Sequence, residues 1–160
     1  MEDATPGPAP TPEWTRGRRL GIDLGKARIG VAVCDPDGLL ATPVATVRRD
    51  MRTSGQDIPS DIREIAETAR EYDVVEIVVG LPVTLSGEEG PAAAHTRAWV
   101  QRFADHVSPV PVTLTDERMT TAVATRRLNE SGVKGGRKRS IVDQAAAVEI
   151  LQQWLDRRRR

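Results

Sequence analysis

The sequence predicts an α/β domain, a mixed β-sheet with helices packed on its faces, and three observations lead there. Residues 19–48 read as three consecutive strands separated by tight turns. From residue 59 to residue 115, two stretches of helical apolar spacing alternate with two short apolar runs. Two more helical stretches then close the chain. The order βββ-α-β-α-β-α-α is a meander followed by alternating units, which implies a mixed sheet covered by helices. The fourth and fifth strands should run parallel beside the first, with their carboxyl ends on one edge, where open sheets of this kind bind ligands.

Taken in order, residues 1–17 carry four prolines in the first twelve positions and little to bury, so they read as a disordered leader. The first strand is expected at 19–25 and the second at 28–34, the latter ending in a turn at Asp35-Pro36-Asp37-Gly38. A third strand follows at 39–48, and residues 50–57 are polar and read as mobile. Ile58, Ile62, Ile65, Ala66, Ala69 and Tyr72 recur at helical spacing over 59–72, with Ser60 or Asp57 as the cap. Val74–Gly80 fits a buried parallel strand, and 81–91 is a loop with several breakers. A helix over 91–106 should turn Ala94, Ala98, Trp99, Phe103 and Val107 inward, before a last strand at 110–115. A third helix is expected at 120–130, a flexible basic loop at 132–140, and a final helix at 141–156 with Ala147, Ile150, Leu151 and Trp154 on one side. Arg157–Arg160 form a basic tail.

At 160 residues the chain suits one domain with a real core. The single Cys34 excludes an internal disulfide framework and agrees with a reducing, cytoplasmic setting. No apolar run approaches a membrane span, so no membrane partner is expected. Net charge is zero but unevenly spread: residues 61–125 hold five basic against eleven acidic residues, and 126–160 hold ten against four. An acidic middle beside a basic end suits metal-binding carboxylates near a phosphate-binding surface, and equally a solvated acidic helix with a basic tail.

Three carboxylates stand out. Asp23 sits among Leu20, Ile22 and Leu24, and a carboxylate in an apolar strand is costly without a partner. Metal binding, pairing with Arg19 or Arg28, and hydrogen bonds from the following turn are all available to it. Glycines at 21, 25 and 30 fit close approach by another backbone or a ligand. At the end of the last strand, alternation puts Asp116 and Glu117 on opposite faces, and either suits a site at that edge. Asp143 belongs to Ser140-Ile-Val-Asp143, a capping-box pattern, yet shares its helix face with the apolar residues that point to the core. Carboxylates from two strand ends and a helix can hold two divalent metals that activate water and clamp a phosphate. Mg²⁺ and Mn²⁺ prefer such all-oxygen ligation, whereas His95 and His106 are too few and scattered for a zinc site.

Five segments occur in order at family spacing: Gly21-Ile-Asp-Leu-Gly-Lys-Ala-Arg-Ile-Gly-Val-Ala-Val33, Ile77-Val-Val-Gly-Leu-Pro82, Ser86-Gly-Glu-Glu-Gly-Pro91, Asp116-Glu-Arg-Met-Thr-Thr121 and Val142-Asp-Gln-Ala-Ala-Ala147. Over residues 18–156 the chain resembles the YqgF (RuvX) family of bacterial RNase H-like nucleases. That resemblance implies a ribonuclease H-like fold with strand order 3-2-1-4-5. It also implies an acidic triad of Asp23, Glu117 and Asp143, acting as both catalytic and metal-binding residues with two Mg²⁺ or Mn²⁺ ions. Arg118 and Thr120 match the motif beside the second acid, as residues that orient it or touch phosphate. Thr84 and Ser86 depart from the Asn and Asp frequent in the Gly-Leu-Pro loop, which puts that loop's contact role in question.

The family joins two substrates, the precursor of small-subunit ribosomal RNA and the four-way DNA junction. The working reading is 5′-end processing of the ribosomal precursor, with junction resolution second. Arg137, Lys138 and Arg139, with the C-terminal arginines, are expected to hold the phosphate backbone without sequence preference. Few aromatics argue against a base-stacking platform. Junction cutting favours a two-fold homodimer, while RNA trimming has no such requirement. Two rival readings remain: the first phosphate loop of actin-type ATPases, for which this chain lacks room for a second lobe, and a non-catalytic nucleic-acid-binding module.

Overall fold

The computed structural model describes residues 14–52, 57–84, 86–117 and 136–158, with 136–140 as backbone only. The strands are β1 (Arg19–Leu24), β2 (Arg28–Cys34), β3 (Ala41–Arg48), β4 (Glu76–Leu81) and β5 (Val112–Asp116). The helices are α1 (Ser60–Glu71), α2 (Pro91–Val107) and α3 (Gly136–Arg158). The strands form one sheet in the order β3-β2-β1-β4-β5, with β1–β2 and β2–β3 antiparallel and β1–β4 and β4–β5 parallel. Strand order and pairing are those expected from the sequence.

Side-chain size differs between the two faces of the sheet. On one face Leu20, Ile22, Leu24, Ile29, Val31, Ile77 and Val79 pack against Ile62 and Ile65 of α1 and Trp99 and Phe103 of α2. Trp99 and Phe103 stack with their ring centroids 4.9 Å apart. The other face presents Ala32, Cys34 and Val78 to Ala146, Ala147, Ile150, Leu151 and Trp154 of α3. Gly21 also lies there, where a Cβ would stand 2.6 Å from Leu151 Cβ. Small residues let α3 approach the sheet backbone closely, and alternation along each strand keeps the large residues for α1 and α2.

Several local expectations are corrected. Pro59 occupies the N-cap of α1 with no side-chain cap, so neither Ser60 nor Asp57 serves; Asp50 Oδ2 accepts the Ser60 N–H at 2.9 Å instead. Asp50, placed by the sequence in a mobile stretch, is thereby tied down. Ile58 is exposed rather than part of the α1 core face. In α2 the inward positions are Ala93, Thr96, Trp99, Val100, Phe103 and Val107, while Ala94 and Ala98 face out. Pro91 at the first turn, behind a Gly90 cap, fixes where that helix starts. The last strand begins at Val112, since Pro111 has no N–H to give and Val110 N–H turns back to Val107 O at 3.0 Å.

Two larger departures concern the ends. Helix α3 begins at Gly136, so Arg137, Lys138 and Arg139 lie in helical backbone and not in a loop. Lys and Arg are good helix formers, and they extend the helix ahead of the Ser140 box that marked its start in the sequence. Residues 14–17, placed in the disordered leader, make defined contacts although Trp14, Thr15 and Arg16 stay exposed. Trp14 lies over the Arg19 guanidinium at 3.7 Å, and a Cβ on Gly38 would meet its ring at 2.5 Å. Arg19 also donates to Thr15 O and Gly17 O, and Gly17 N–H donates to Pro36 O. The helix expected at 120–130 lies outside the described residues. Among the described residues, no helix is long and apolar enough to cross a membrane.

The β2–β3 turn depends on Asp35. Its Oδ1 accepts the N–H groups of Leu40 at 2.7 Å and Leu39 at 2.9 Å, and its Oδ2 accepts that of Asp37 at 3.1 Å. Gly38 closes the turn at φ +69°, a left-handed conformation that a side chain would strain. Burial opposes ionisation of Asp35, but the donated N–H groups of Leu40, Leu39 and Asp37 outweigh it and hold the carboxyl below its ordinary value. A depressed folded-state pKa contributes stability at neutral pH that is lost as pH falls through it. Asp35→Asn should therefore lower the denaturation midpoint at pH 7 and flatten its decline toward pH 3, as urea titrations across that range would show.

Candidate active site

The carboxyl edge of the sheet gathers the acids on the α3 side through a row of backbone positions. In the β1–β2 register Asp23 stands opposite Gly30. The β1–β4 register runs to Ile22 opposite Val79, so the next step brings Asp23 beside Gly80. Side chains directly across from each other share a face. A Cβ on Gly30 would stand 1.9 Å from the backbone O of Asp143, and one on Gly80 would stand 2.6 Å from Glu117 Oε2. Asp23 therefore projects between two glycines, with the first turns of α3 over one and the Glu117 carboxylate over the other. Adjacent strands lie about 4.8 Å apart, so the row spans about 10 Å.

Each acid arrives by a different local cause. Asp23 follows from alternation in β1, where odd positions face α3. Glu117 is the first residue past β5, its N–H donating to Leu81 O at 3.3 Å, which carries the strand's alternation one step further. The two neighbouring acids differ in burial: Glu117 is 1% exposed, while Asp116 is only partly covered. Asp143 lies on the α3 face that carries Ala147, Ile150 and Leu151. Asp23 and Asp143 are likewise buried, at 2% and 8% exposure. Taking charged carboxylates out of water is costly, and such a group persists where something compensates it.

For Asp143 the compensation is visible. Arg28 Nε, at the start of β2, donates to Asp143 Oδ2 at 2.8 Å. Arg19 instead pairs with Glu76 at 3.4 Å, so each of the arginines that the sequence offered to Asp23 has another acid as partner. A cavity of about 280 Å³ opens beside the Arg28–Asp143 pair, lined also by Gly25, Lys26 and Ala27. Sequence reasoning missed Arg28 as the partner of Asp143 and Gly80 as the seat of Glu117. The glycine ending an otherwise β-branched run at 77–80 was the available signal.

The donor set is three carboxylates and nothing softer, which fits a hard divalent cation such as Mg²⁺ or Mn²⁺. The two glycines leave room around Asp23 that a Cβ would fill. Among the described residues, no three acidic, imidazole or thiol groups already converge as a metal site. Thr84 and Ser86 fold their own loop, with their hydroxyls 2.9 Å apart and Thr84 Oγ1 accepting the Glu88 N–H at 3.0 Å. Arg118 and Thr120 lie outside the described residues, as do the side chains of Arg137, Lys138 and Arg139.

The model of the family described as RuvX, Holliday junction resolvase, matches residues 17–157. A Streptomyces coelicolor protein named "Putative pre-16S rRNA nuclease" is 54% identical over 148 residues, covering 92% of this chain and 85% of that protein. A Rhodococcus erythropolis protein of the same name is 57% identical over 145 residues, covering 91% and 81%. Among solved structures, T. thermophilus RuvC in complex with a Holliday junction substrate aligns over 89% of this chain and 96% of its own, with TM-score 0.50 and 17% identity. That likeness supports the fold, which is the RNase H-like one.

The glycine row makes a graded prediction. At Gly30 an added Cβ meets helix backbone, which cannot step aside, whereas at Gly80 it meets the ends of the Glu117 and Ile150 side chains. Gly30→Ala should cost at least the roughly 1–3 kcal/mol of an overpacked site, and Gly80→Ala distinctly less. Equilibrium denaturation of both variants checks the ranking, and equal losses would contradict it.

Proposed function

The chain belongs to the RuvX family, and from that premise we propose that it is a divalent-metal-dependent nuclease that trims the 5′ end of the small-subunit ribosomal RNA precursor. The observation that carries this is the placement of Asp23 between Gly30 and Gly80, with Asp143 and Glu117 seated over those glycines at the carboxyl edge. The names of the Streptomyces and Rhodococcus relatives support ribosomal precursor RNA as the substrate. The family description supports a second reading, cleavage of four-way DNA junctions.

Asp23, Glu117 and Asp143 would hold the ions, two in number. When bound, such a pair supplies an activated water and a clamp on the scissile phosphate. The protein's own residues prepare that place. Gly21 and Gly30 let α3 close over the strands, so Asp143 is delivered on a rigid helix. Ile150 packs beside Glu117 over Gly80 and keeps bulk water from that side of the carboxylate. Arg28 offsets the Asp143 charge and stands at the rim of the neighbouring cavity, where it can pass to a substrate phosphate. Arg118 and Thr120, next to Glu117 in sequence, are proposed to orient it or to touch phosphate.

Arg137, Lys138 and Arg139 are proposed to contact the strand backbone. Cations in a first helical turn oppose the helix dipole, and an anion placed there relieves both. Replacing all three by Gln should weaken strand binding and reduce the slope of log affinity against log salt by about 2, at about 0.7 per single-strand phosphate. An unchanged slope would remove this segment from the binding surface.

The central test is Asp23→Asn. With Mn²⁺ or Mg²⁺, the wild-type protein should cut precursor RNA, and the variant should lose that activity while keeping its thermal midpoint. If neither precursor RNA nor four-way junctions are cut, the enzyme reading fails and a non-catalytic binding module takes its place. Depleting the protein in cells and sizing the 5′ ends of small-subunit RNA decides between substrates, with normal ends favouring junctions.

A further inference from the structure

The largest described cavity at this edge, about 630 Å³, lies on the opposite face of the sheet from the carboxylates. Leu24, which points to the α1–α2 side, lines it together with Gly25, Lys26, Arg49, His95 and Thr96, and the first turn of α2 at Pro91 and Ala92 closes one wall. Among the described residues, no carboxylate lines it. A smaller cavity of about 260 Å³ shares Arg49, Met51 and His95 with it and is lined further in by Trp99, Asp50, Asp61 and Arg102. Lining of this kind, cationic with a helix N-terminus in the wall, suits an anion.

A second observation is independent of that lining. Among the described residues, three buried side-chain polar atoms have no hydrogen-bond partner, and two of them are Arg49 Nε and Trp99 Nε1. Both are donors, and both residues line these joined cavities. The Arg49 side chain is only 6% exposed, and its Nε reaches Asp61 Oδ2 only at an ion-pair distance of 3.5 Å. Its Nη1 donates to Gly25 O at 2.9 Å and its Nη2 faces His95 Nε2 at 2.8 Å. A guanidinium only donates, so the imidazole nitrogen it faces is the acceptor. Asp61 also accepts the N–H groups of Asp50 and Ile62, so its oxygens are shared among several donors. Buried donors without acceptors are costly, and a ligand rich in acceptor oxygens relieves that cost.

The β1–β2 turn joins this cleft to the candidate active site. Gly25 and Lys26 line both the cavity beside Asp143 and the cleft beside Arg49. We infer that Arg49, His95 and Lys26 form a second phosphate site, which takes a backbone phosphate of the substrate strand after that strand crosses the β1–β2 turn. This rests on the proposed nucleic-acid substrate. The phosphoryl chemistry alone also fits a free nucleotide.

The test uses the full chain with Asp23→Asn to prevent cutting. His95→Glu, on the exposed side of α2, puts a tethered carboxylate beside Arg49 as a rival to phosphate. Single-stranded RNA binding, followed by fluorescence anisotropy at several salt concentrations, should weaken about tenfold or more, the cost of one charge-assisted hydrogen bond. The salt slope should fall by about 0.7. In the parent protein, the His95 ring proton resonances should move when the strand is added. Strand binding with unmoved His95 resonances and an unchanged His95→Glu affinity would overturn this site and leave the nuclease reading standing. No strand binding at all would overturn both. Movement of His95 with adenosine monophosphate but not with the strand would make this a free-nucleotide site and overturn the assignment to backbone phosphate.

Discussion

The fold and its acidic edge depend on how closely α3 can lie on the sheet. Gly21 and Gly30 present bare backbone beneath that helix, and a Cβ at either would fall within 2.6 Å of helix or side-chain atoms. A helix seated on ordinary side chains stands about 10 Å from a sheet, too far for its own backbone to meet the strands. Here Asp143 O is in contact with Gly30, directly across from Asp23. The helix backbone at Asp143 and the strand position opposite Asp23 are thus brought together without a long side chain to bridge them. Glu117, which arrives from the strand level, needs a similar clearing and finds it over Gly80.

That geometry divides the labour between faces. The α1–α2 face carries the bulky core, including Phe103, Ile62 and Ile65, all essentially inaccessible to solvent. Hydrophobic burial of that kind contributes about 25 cal/mol per Å² and can tolerate the cost of buried acids elsewhere. The α3 face gives up side-chain volume for closeness. Part of what it forgoes is recovered on the helix itself, where Leu151, Ile150 and Trp154 supply the apolar area that the glycines lack.

Much of this was legible in the sequence, and what was not has physical reasons. Asp23 announced itself because a carboxylate among Leu20, Ile22 and Leu24 contradicts its surroundings. The glycines at 21 and 30 could be read as close approach, though not of what. The choice between Asp116 and Glu117 needed the register of β5, since alternation alone assigns two acids to two faces without saying which face is covered. The partner of Arg28 was hidden because Asp143 is 115 positions away, beyond any local pattern. In α2, Trp99, Phe103 and Val107 face inward as expected, but Ala94 and Ala98 carry almost no signal, and Ala93, Thr96 and Val100 take the remaining inward places. Trp14 escaped notice inside a proline-rich leader, where composition outweighed one aromatic that packs on Gly38 and Arg19.

The two faces meet only at the strand ends, and the β1–β2 turn is where a ligand can reach both. Gly25 N–H donates to Arg28 O at 3.0 Å, and a Cβ on Gly25 would stand 2.6 Å from that same oxygen, so the turn is tight. Arg49 grips it from the α1–α2 side through Gly25 O, while Arg28 leaves it toward Asp143 on the other. A single turn therefore fixes two guanidinium groups on opposite sides of the sheet. Lys26, exposed at the crest between them, completes a line of positive charge that runs across the edge from one face to the other. A phosphodiester strand is a line of negative charge, and crossing this turn would bring one phosphate to the acids while its neighbour meets Arg49. In the inferred binding mode, this tight hairpin would set the register between the strand and the acids.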